Sequence, residues 1–107
     1  MTRIAIDQNV VTLVNVFSVS PENQQKLLDM LIEATQQTMR HLPGFVSANF
    51  HRSLDGTRVI NYAQWRTQED FEAMLANPEA RAHMAPITEL ASAEPHLYQV
   101  VFTDSAA

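Results

Sequence analysis

The feature that most constrains this chain is a hairpin signal in its middle. Asp55-Gly56 separates two runs of strand-forming residues, 45–53 and 57–66. An Asp-Gly pair between such runs favours a tight reversal, because glycine accepts the left-handed backbone that short hairpin loops need. Two neighbouring antiparallel strands are therefore predicted, and any fold proposed for the chain must include them.

Two loop lengths fit this turn, and each gives different cross-strand neighbours. A two-residue loop places Phe50 opposite Asn61, whereas a three-residue loop places Asn49 opposite Asn61. We favour the three-residue loop, Leu54-Asp55-Gly56, because it sorts the side chains by polarity. One face then carries Val46, Ala48, Phe50, Ile60 and Tyr62, and the other carries Ser47, Asn49, His51, Asn61 and Trp65.

The remaining segments predict the rest of the fold. They are a strand at 9–19, a helix from Ser20-Pro21 to Leu42, a helix that starts at Thr67, breaks at Asn77-Pro78 and ends at Pro95, and a strand at 96–103. Ser20, Thr67 and Asn77 are expected to cap the helix starts. The order strand, helix, strand, strand, helix, strand indicates an α+β, ferredoxin-like antiparallel sheet with the helices on one face. We expect one domain over 1–107, with a loose arm at 1–8 and a frayed tail at 104–107.

Composition excludes several functions. The chain has no cysteine, which rules out thiol catalysis and disulfides. Its net charge of -5 disfavours a nucleic-acid partner. No apolar run approaches the length of a membrane span, and the N-terminus does not resemble a signal peptide, so we expect a cytoplasmic protein without a membrane partner. The four histidines form no close pair, so no metal site is predicted.

The outer strands predict a partner subunit. Residues 9–19 and 96–103 are apolar on both sides, yet helices would cover only one face of the sheet. An apolar sheet face left in water is unusual for a monomer. We therefore expect a homodimer in which a second copy covers the open face.

Asn61 and Trp65 are the first candidates for a functional site. Asparagine is disfavoured in the middle of a strand, and the period of two places Asn61 and Trp65 on one side. Two interpretations stay open at this point. In the first, Trp65 is a core aromatic and the Asn61 side chain hydrogen-bonds to the backbone of a loop. In the second, both side chains donate hydrogen bonds to a ligand oxygen. His51 shares their face in the favoured register, where it is either a structural residue or a proton carrier.

Residues 43–65 carry a family resemblance. The segments Pro-Gly-Phe, Asp-Gly-Thr and Asn-Tyr-Ala-Gln-Trp, in this order, resemble the antibiotic biosynthesis monooxygenase family. The resemblance extends more weakly over most of the chain. It implies a dimeric α+β barrel, and an enzyme that oxidises a small phenolic or anthrone-type aromatic to a quinone with O₂ and no cofactor.

The resemblance also implies roles for individual residues. It assigns Asn61, Trp65 and His51 to catalysis. The quinone-forming members have a tyrosine where this chain has Phe71, and they have an arginine near His83. We expect a substrate-binding set of Phe71, Asn49, Met74 and His83.

Two alternatives come from other functional classes. One is a haem-binding or haem-degrading relative, which the chain resembles through Asn15 and Trp65. The resemblance to that branch implies a haem-ligand histidine about ten residues after Trp65, but this chain has Leu75 and Ala76 there. The other is a non-enzymatic dimeric module that binds small aromatic ligands, which predicts saturable binding without O₂ consumption.

Overall fold

Four antiparallel strands carry three α-helices on one face in a computed structural model, which describes residues 1–106. The elements are β1 (Val11–Ser18), α1 (Gln24–Gln37), β2 (Phe45–Arg52), β3 (Arg58–Trp65), α2 (Gln68–Ala76), α3 (Pro78–Leu90) and β4 (Ser92–Tyr98), and short 3-10 helices at Pro21–Asn23 and Met39–His41 flank α1. The strand order is β2-β3-β1-β4. The predicted α+β, ferredoxin-like fold is confirmed.

Two of the three predicted helix caps form. The Thr67 hydroxyl oxygen accepts a hydrogen bond from the Asp70 backbone N–H at 3.0 Å. The Asn77 side-chain oxygen accepts one from the Ala80 N–H at 3.1 Å, which separates α2 from α3 as predicted. The Ser20 side chain makes no capping bond, because the chain starts there with a 3-10 turn in which the Ser20 carbonyl accepts from Asn23.

The last strand was misplaced by the sequence pattern. It spans Ser92–Tyr98 instead of 96–103, and α3 ends at Leu90, well before Pro95. Pro95 predicts the end of a helix, but β4 is an edge strand with a neighbour, β1, on one side only. A proline is tolerated there, since its missing N–H faces the free edge. Residues 99–106 have no regular secondary structure.

The favoured hairpin register is wrong. Phe50 pairs with Asn61, and Asn49 pairs with Tyr62. The loop is longer than either predicted form, because the Ser53 N–H donates to the Arg58 carbonyl at 2.9 Å and encloses residues 54–57.

Asp55 organises this loop. Its carboxylate accepts hydrogen bonds from the Thr57 N–H at 3.0 Å, and from the Thr57 and Ser53 hydroxyls at 2.8 Å each. These donors favour the ionised form, with the Thr57 backbone N–H contributing most, and they lower the Asp55 pKa to about 2. The carboxylate contacts thus close a four-residue loop, and they determine which strand residues become neighbours.

The observed register changes which side chains share a face. Asn61, Ala63 and Trp65 lie on the side covered by the helices, while His51 and Asn49 lie on the other side with Tyr62. A change of one residue in register exchanges the faces of a strand, since side chains alternate along it. The expected grouping of Asn49 and His51 with Asn61 is therefore corrected.

The core forms two apolar clusters under the helices. One contains Phe17, Leu27, Leu28, Leu31, Val59, Ile87 and Ala91. The other contains Leu13, Ala63, Trp65, Phe71, Met74 and Ala80. Between them the central strands place Asn15 directly opposite Asn61. Two amides thus interrupt the apolar core at the middle of the sheet.

The N-terminal arm is anchored on the face without helices. The Gln64 side-chain amide, only 1% exposed, donates to the Arg3 carbonyl at 2.6 Å. The Asn49 amide donates to the Thr2 hydroxyl and, at 2.9 Å, to the Tyr62 carbonyl. The arm that was predicted to be loose is therefore tied to the sheet. The predicted frayed tail includes Ala107, which lies outside the described residues.

Candidate functional site

A cavity of about 180 Å³ lies between the sheet and the helices. Asn15, Asn61 and Trp65 border it from the two central strands. Its other walls are mainly apolar and come from the four strands and from all three helices. The side chains of these walls are all neutral: Leu13, Phe17, Leu31, Ala34, Thr35, Met39, Phe45, Ala48, Phe50, Ala63, Phe71, Met74, Leu75, Met84, Ile87, Thr88, Ala93 and Pro95. An apolar cavity with a few convergent polar groups is the usual form of a small-molecule site.

The Asn61 side chain is oriented by a backbone contact. Its Oδ1 accepts a hydrogen bond from the Asn49 N–H at 3.3 Å. A backbone N–H can only donate, so this bond distinguishes the oxygen of the amide from its nitrogen. Within residues 1–106 the Asn61 NH₂ group donates to no protein acceptor, and it is available to a ligand in the cavity.

Trp65 is held by two aromatic neighbours. Its ring centroid lies 5.6 Å from that of Phe45 and 6.3 Å from that of Phe71, with interplanar angles of 87° and 67°. Such edge-to-face contacts stabilise one ring orientation. The side chain is only 2% exposed, and its indole N–H has no protein acceptor within residues 1–106. Trp65 thus borders the cavity with a fixed ring orientation and an N–H that the protein does not use.

Asn15 contributes an acceptor that is not used by the protein. Its Oδ1 is buried and has no hydrogen-bond partner within residues 1–106. A buried polar atom without a partner costs about 1–3 kcal/mol, so it marks a place where a ligand donor gains the most. The cavity is therefore bordered by two free donors and one free acceptor, with the two asparagines at the middle of the sheet and Trp65 at the end of β3.

Four of the seven residues expected at the site border the cavity. Asn61 and Trp65 do so from β3, and Phe71 and Met74 from α2.

The other three residues do not border the cavity. Asn49 lies on the opposite sheet face, where its amide binds the arm. His51 lies on the same face as Asn49 and is exposed, and its Nδ1 is 3.2 Å from the Asn49 carbonyl oxygen. His83 on α3 is half-buried outside the cavity wall. The one-residue change in register removes Asn49 and His51, and the direction in which α3 presents its side chains removes His83.

Asn15 was not among the predicted site residues, and the sequence singled it out only through the resemblance to the haem-binding branch. The signal that could have found it is the one used for Asn61, an asparagine in the middle of an apolar strand. The two were not linked, because their pairing depends on which strands lie side by side. The sheet places Asn15 and Asn61 in register across β1 and β3.

Comparison with known proteins identifies the family. The family model described as antibiotic biosynthesis monooxygenase matches residues 10–86. The chain belongs to this family. The antibiotic biosynthesis monooxygenase family resemblance found in residues 43–65 is thereby confirmed, as is the expectation of a monooxygenase.

Proteins similar to this chain include two named monooxygenases. The chain is 43% identical over 106 residues to tetracenomycin-F1 monooxygenase of Streptomyces glaucescens, covering 99% of this chain and 95% of that protein. Its structure is similar to the ActVA-Orf6 monooxygenase of Streptomyces coelicolor in complex with nanaomycin D, with a TM-score of 0.71, 28% identity, and coverage of 91% and 93%. An anthrone oxidase-like protein matches with a TM-score of 0.81 and 25% identity, over 90% of this chain and 41% of that one.

The structure also answers the question of a membrane span. No helix within residues 1–106 is both long and apolar enough to cross a bilayer.

Proposed function

We propose that this chain oxidises a phenolic or anthrone-type aromatic to a quinone with O₂ and without a bound cofactor. The observation that carries the proposal is the central pair of asparagines beside Trp65. These residues provide free N–H donors and a free oxygen acceptor at a mainly apolar cavity. The similarity to tetracenomycin-F1 monooxygenase and to an anthrone oxidase-like protein supports this class of substrate.

The proposed reaction requires the protein mainly to bind the substrate and to stabilise the negative charge that develops on it. An anthrone loses a proton to give an anion in which negative charge is shared by carbon and oxygen. The carbanion reduces O₂ directly, so the substrate supplies the electrons that a cofactor would otherwise carry. The bound oxyanion is best stabilised by oriented N–H donors in a dry cavity, where hydrogen bonds are stronger than in water.

The side chains divide these tasks. The Asn61 NH₂ and the Trp65 indole N–H donate to the substrate oxygen as its charge develops. The Asn15 Oδ1 accepts from a second hydroxyl of the substrate and sets the orientation of the ring. Phe71 contributes an apolar ring against Trp65 and no hydroxyl, so the proposed reaction uses no phenol at this position.

The reaction balances without another reagent. O₂ adds to the carbanion, forming a carbon–oxygen bond, and the peroxide takes up a proton. Loss of the second proton from the same carbon then breaks the oxygen–oxygen bond. One oxygen atom becomes the new carbonyl, and the other leaves as water. The anthrone and O₂ are thus converted into quinone and water.

Oxygen uptake tests this proposal. We expect metal-stripped protein mixed with an anthrone to consume O₂ and to form quinone in equal amounts, above the rate of a protein-free control. Trp65→Phe removes the N–H donor and keeps a ring, and it is expected to lower turnover about tenfold to a hundredfold, since one hydrogen bond to a charged group is worth about 1.5–3 kcal/mol.

Tyr62→Phe is the matched control. It also removes one polar atom from an aromatic residue of β3, but on the opposite face. Its turnover is expected to equal that of the wild type. Saturable binding of the anthrone without O₂ uptake would contradict an oxygenase and favour the non-enzymatic binding module.

We also propose that a second copy of the chain covers the face of the sheet without helices. The termini lie side by side there, since the arm and residues 99–100 border a common groove. Large apolar side chains in the arm, at the end of β4 and in the residues after it are exposed, namely Ile4, Ile6, Tyr98, Val101 and Phe102, the last of which is 77% exposed. Apolar side chains grouped in this way are typical of an interface and costly in water.

Light scattering after size-exclusion chromatography measures this assembly. We expect a particle of about 24 kDa at micromolar concentration, twice the 12.1 kDa of one chain. Phe102→Asp places a charge in the proposed interface and is expected to shift the population towards the monomer. Leu54→Asp is the control, since Leu54 is exposed at the hairpin loop. A 12 kDa particle for the wild type would contradict the dimer.

A further inference from the structure

We propose that Met39, Met74 and Met84 determine how many fused rings the cavity accepts. The inference rests on the proposed function, because it concerns the size of the aromatic substrate. The three methionines form what we call the methionine wall. They border the cavity from three different elements: the 3-10 helix after α1, α2 and α3.

The cavity is too small to enclose a three-ring substrate unless part of its wall moves. A protein cavity of about 150 Å³ holds one benzene molecule, and this cavity measures about 180 Å³. Pockets for larger ligands usually span about 300–1,000 Å³. An anthrone has three fused rings, so the cavity encloses all of them only if part of the wall moves aside.

The sheet side of the cavity is not the part that moves. Asn15, Asn61 and Trp65 lie on the two central strands, which are hydrogen-bonded on both sides. Trp65 is also enclosed by Phe45 and Phe71. Moving this floor would break strand pairing, whereas a rotamer change of a side chain breaks no backbone hydrogen bond.

The methionine wall is the part that yields most easily. Methionine is unbranched and rotates about three side-chain bonds, so it fills or vacates space at small cost. Met74 is 8% exposed, while Met39 and Met84 are half-buried, and their side chains therefore have room to turn outwards. All three pack in the same cluster as Trp65, next to the proposed reacting ring.

Stiffening the wall tests the inference. Isoleucine has a similar volume but is branched at Cβ and largely restricted to one rotamer in a helix. We expect Met74→Ile and Met84→Ile each to raise the Kd of a dihydroxyanthraquinone, relative to that of a dihydroxynaphthoquinone, at least tenfold. Met39→Ile is expected to change this ratio in the same direction.

Trp65 provides a readout that does not need catalysis. It is the single tryptophan of the chain, so quenching of intrinsic fluorescence by a bound quinone reports occupancy of this cavity. The two Kd values are measured by titration for each variant. Thermal unfolding of each variant verifies that it is folded.

Met30→Ile is the matched control. Met30 is half-buried in the other apolar cluster and does not border the cavity. Its Kd ratio is expected to equal that of the wild type. The inference would be overturned if the Kd ratio of all three wall variants stayed within twofold of the wild-type ratio. It would also be overturned if Met30→Ile changed that ratio as much as the wall variants do. If the wall variants change the Kd ratio as expected but the wild type consumes no O₂ with an anthrone, the wall is supported and the proposed function fails.

Discussion

Replacement of Asn61 by alanine is expected to lower the turnover number for anthrone oxidation about 10²–10³-fold, as loss of one oxyanion donor does in other enzymes. The NH₂ group of Asn61 is free because its Oδ1 accepts from the Asn49 N–H. Alanine removes this donor and leaves the substrate anion with one protein N–H fewer in a mainly apolar cavity. The measurement is kcat for quinone formation at saturating anthrone.

A second substitution separates the donor from the shape of the side chain. Asn61→Asp keeps the acceptor for the Asn49 N–H but replaces the donor by a carboxylate oxygen. We expect turnover at least as low as that of Asn61→Ala, since a carboxylate repels the substrate anion. Equal turnover of Asn61→Asp and the wild type would refute the role of the NH₂ group.

The matched control for these variants is Asn49→Ala. Asn49 is an asparagine of the neighbouring strand whose side chain binds the arm on the opposite face. Its loss is expected to cost stability of about 1 kcal/mol per hydrogen bond and to leave kcat unchanged. A fall in kcat as large as that of Asn61→Ala would show that the decrease comes from a disturbed sheet.

Gly44→Ala is expected to produce the largest loss of stability, about 2–5 kcal/mol of unfolding free energy. Gly44 has a φ of 84°, where a side chain costs about 1–2 kcal/mol. A Cβ there would also overlap the Asp70 side chain, including its Cβ close to the backbone. Relief of that overlap requires a shift of the first turn of α2, and such overpacking costs about 1–3 kcal/mol. Urea unfolding at one protein concentration measures the difference.

Gly56→Ala isolates the backbone contribution. Gly56 has the same φ of 84°, but an added Cβ would lie 3.5 Å from the nearest atom, the Cβ of Pro21, which is an ordinary contact. We expect a loss of only about 1–2 kcal/mol. If Gly44→Ala lowers the free energy of unfolding no more than Gly56→Ala does, the contact between Asp70 and Gly44 does not fix the position of α2.

The two glycines also connect stability with the site. Asp70 precedes Phe71, which borders the cavity, and Met74 follows one turn later. A displaced first turn of α2 would therefore move two cavity side chains. We expect Gly44→Ala, where it folds, to weaken quinone binding, an effect that Gly56→Ala lacks because its loop lies at the far end of the hairpin.

The predicted hairpin register was wrong because the buried face of the hairpin carries a polar residue of the candidate site. Sorting side chains by polarity assumes that the buried face is apolar, but Asn61 lies on the buried face and borders the cavity. The other face looked like a site because it carries Asn49 and His51, yet the arm occupies part of it. Rules of local consistency are violated where a protein keeps polar groups for a ligand.

The amino-acid sequence by itself determined the order of the elements, the break between α2 and α3 and the candidates Asn61 and Trp65. These depend on neighbours within a few residues, such as the Thr67 and Asn77 caps, and on residue types that are unusual in a strand. Only the tertiary structure decided the register, the position of Asn15 opposite Asn61 and the exclusion of His51 from the cavity. These depend on contacts between segments far apart in the chain, and side-chain alternation turns one residue of difference into the opposite face.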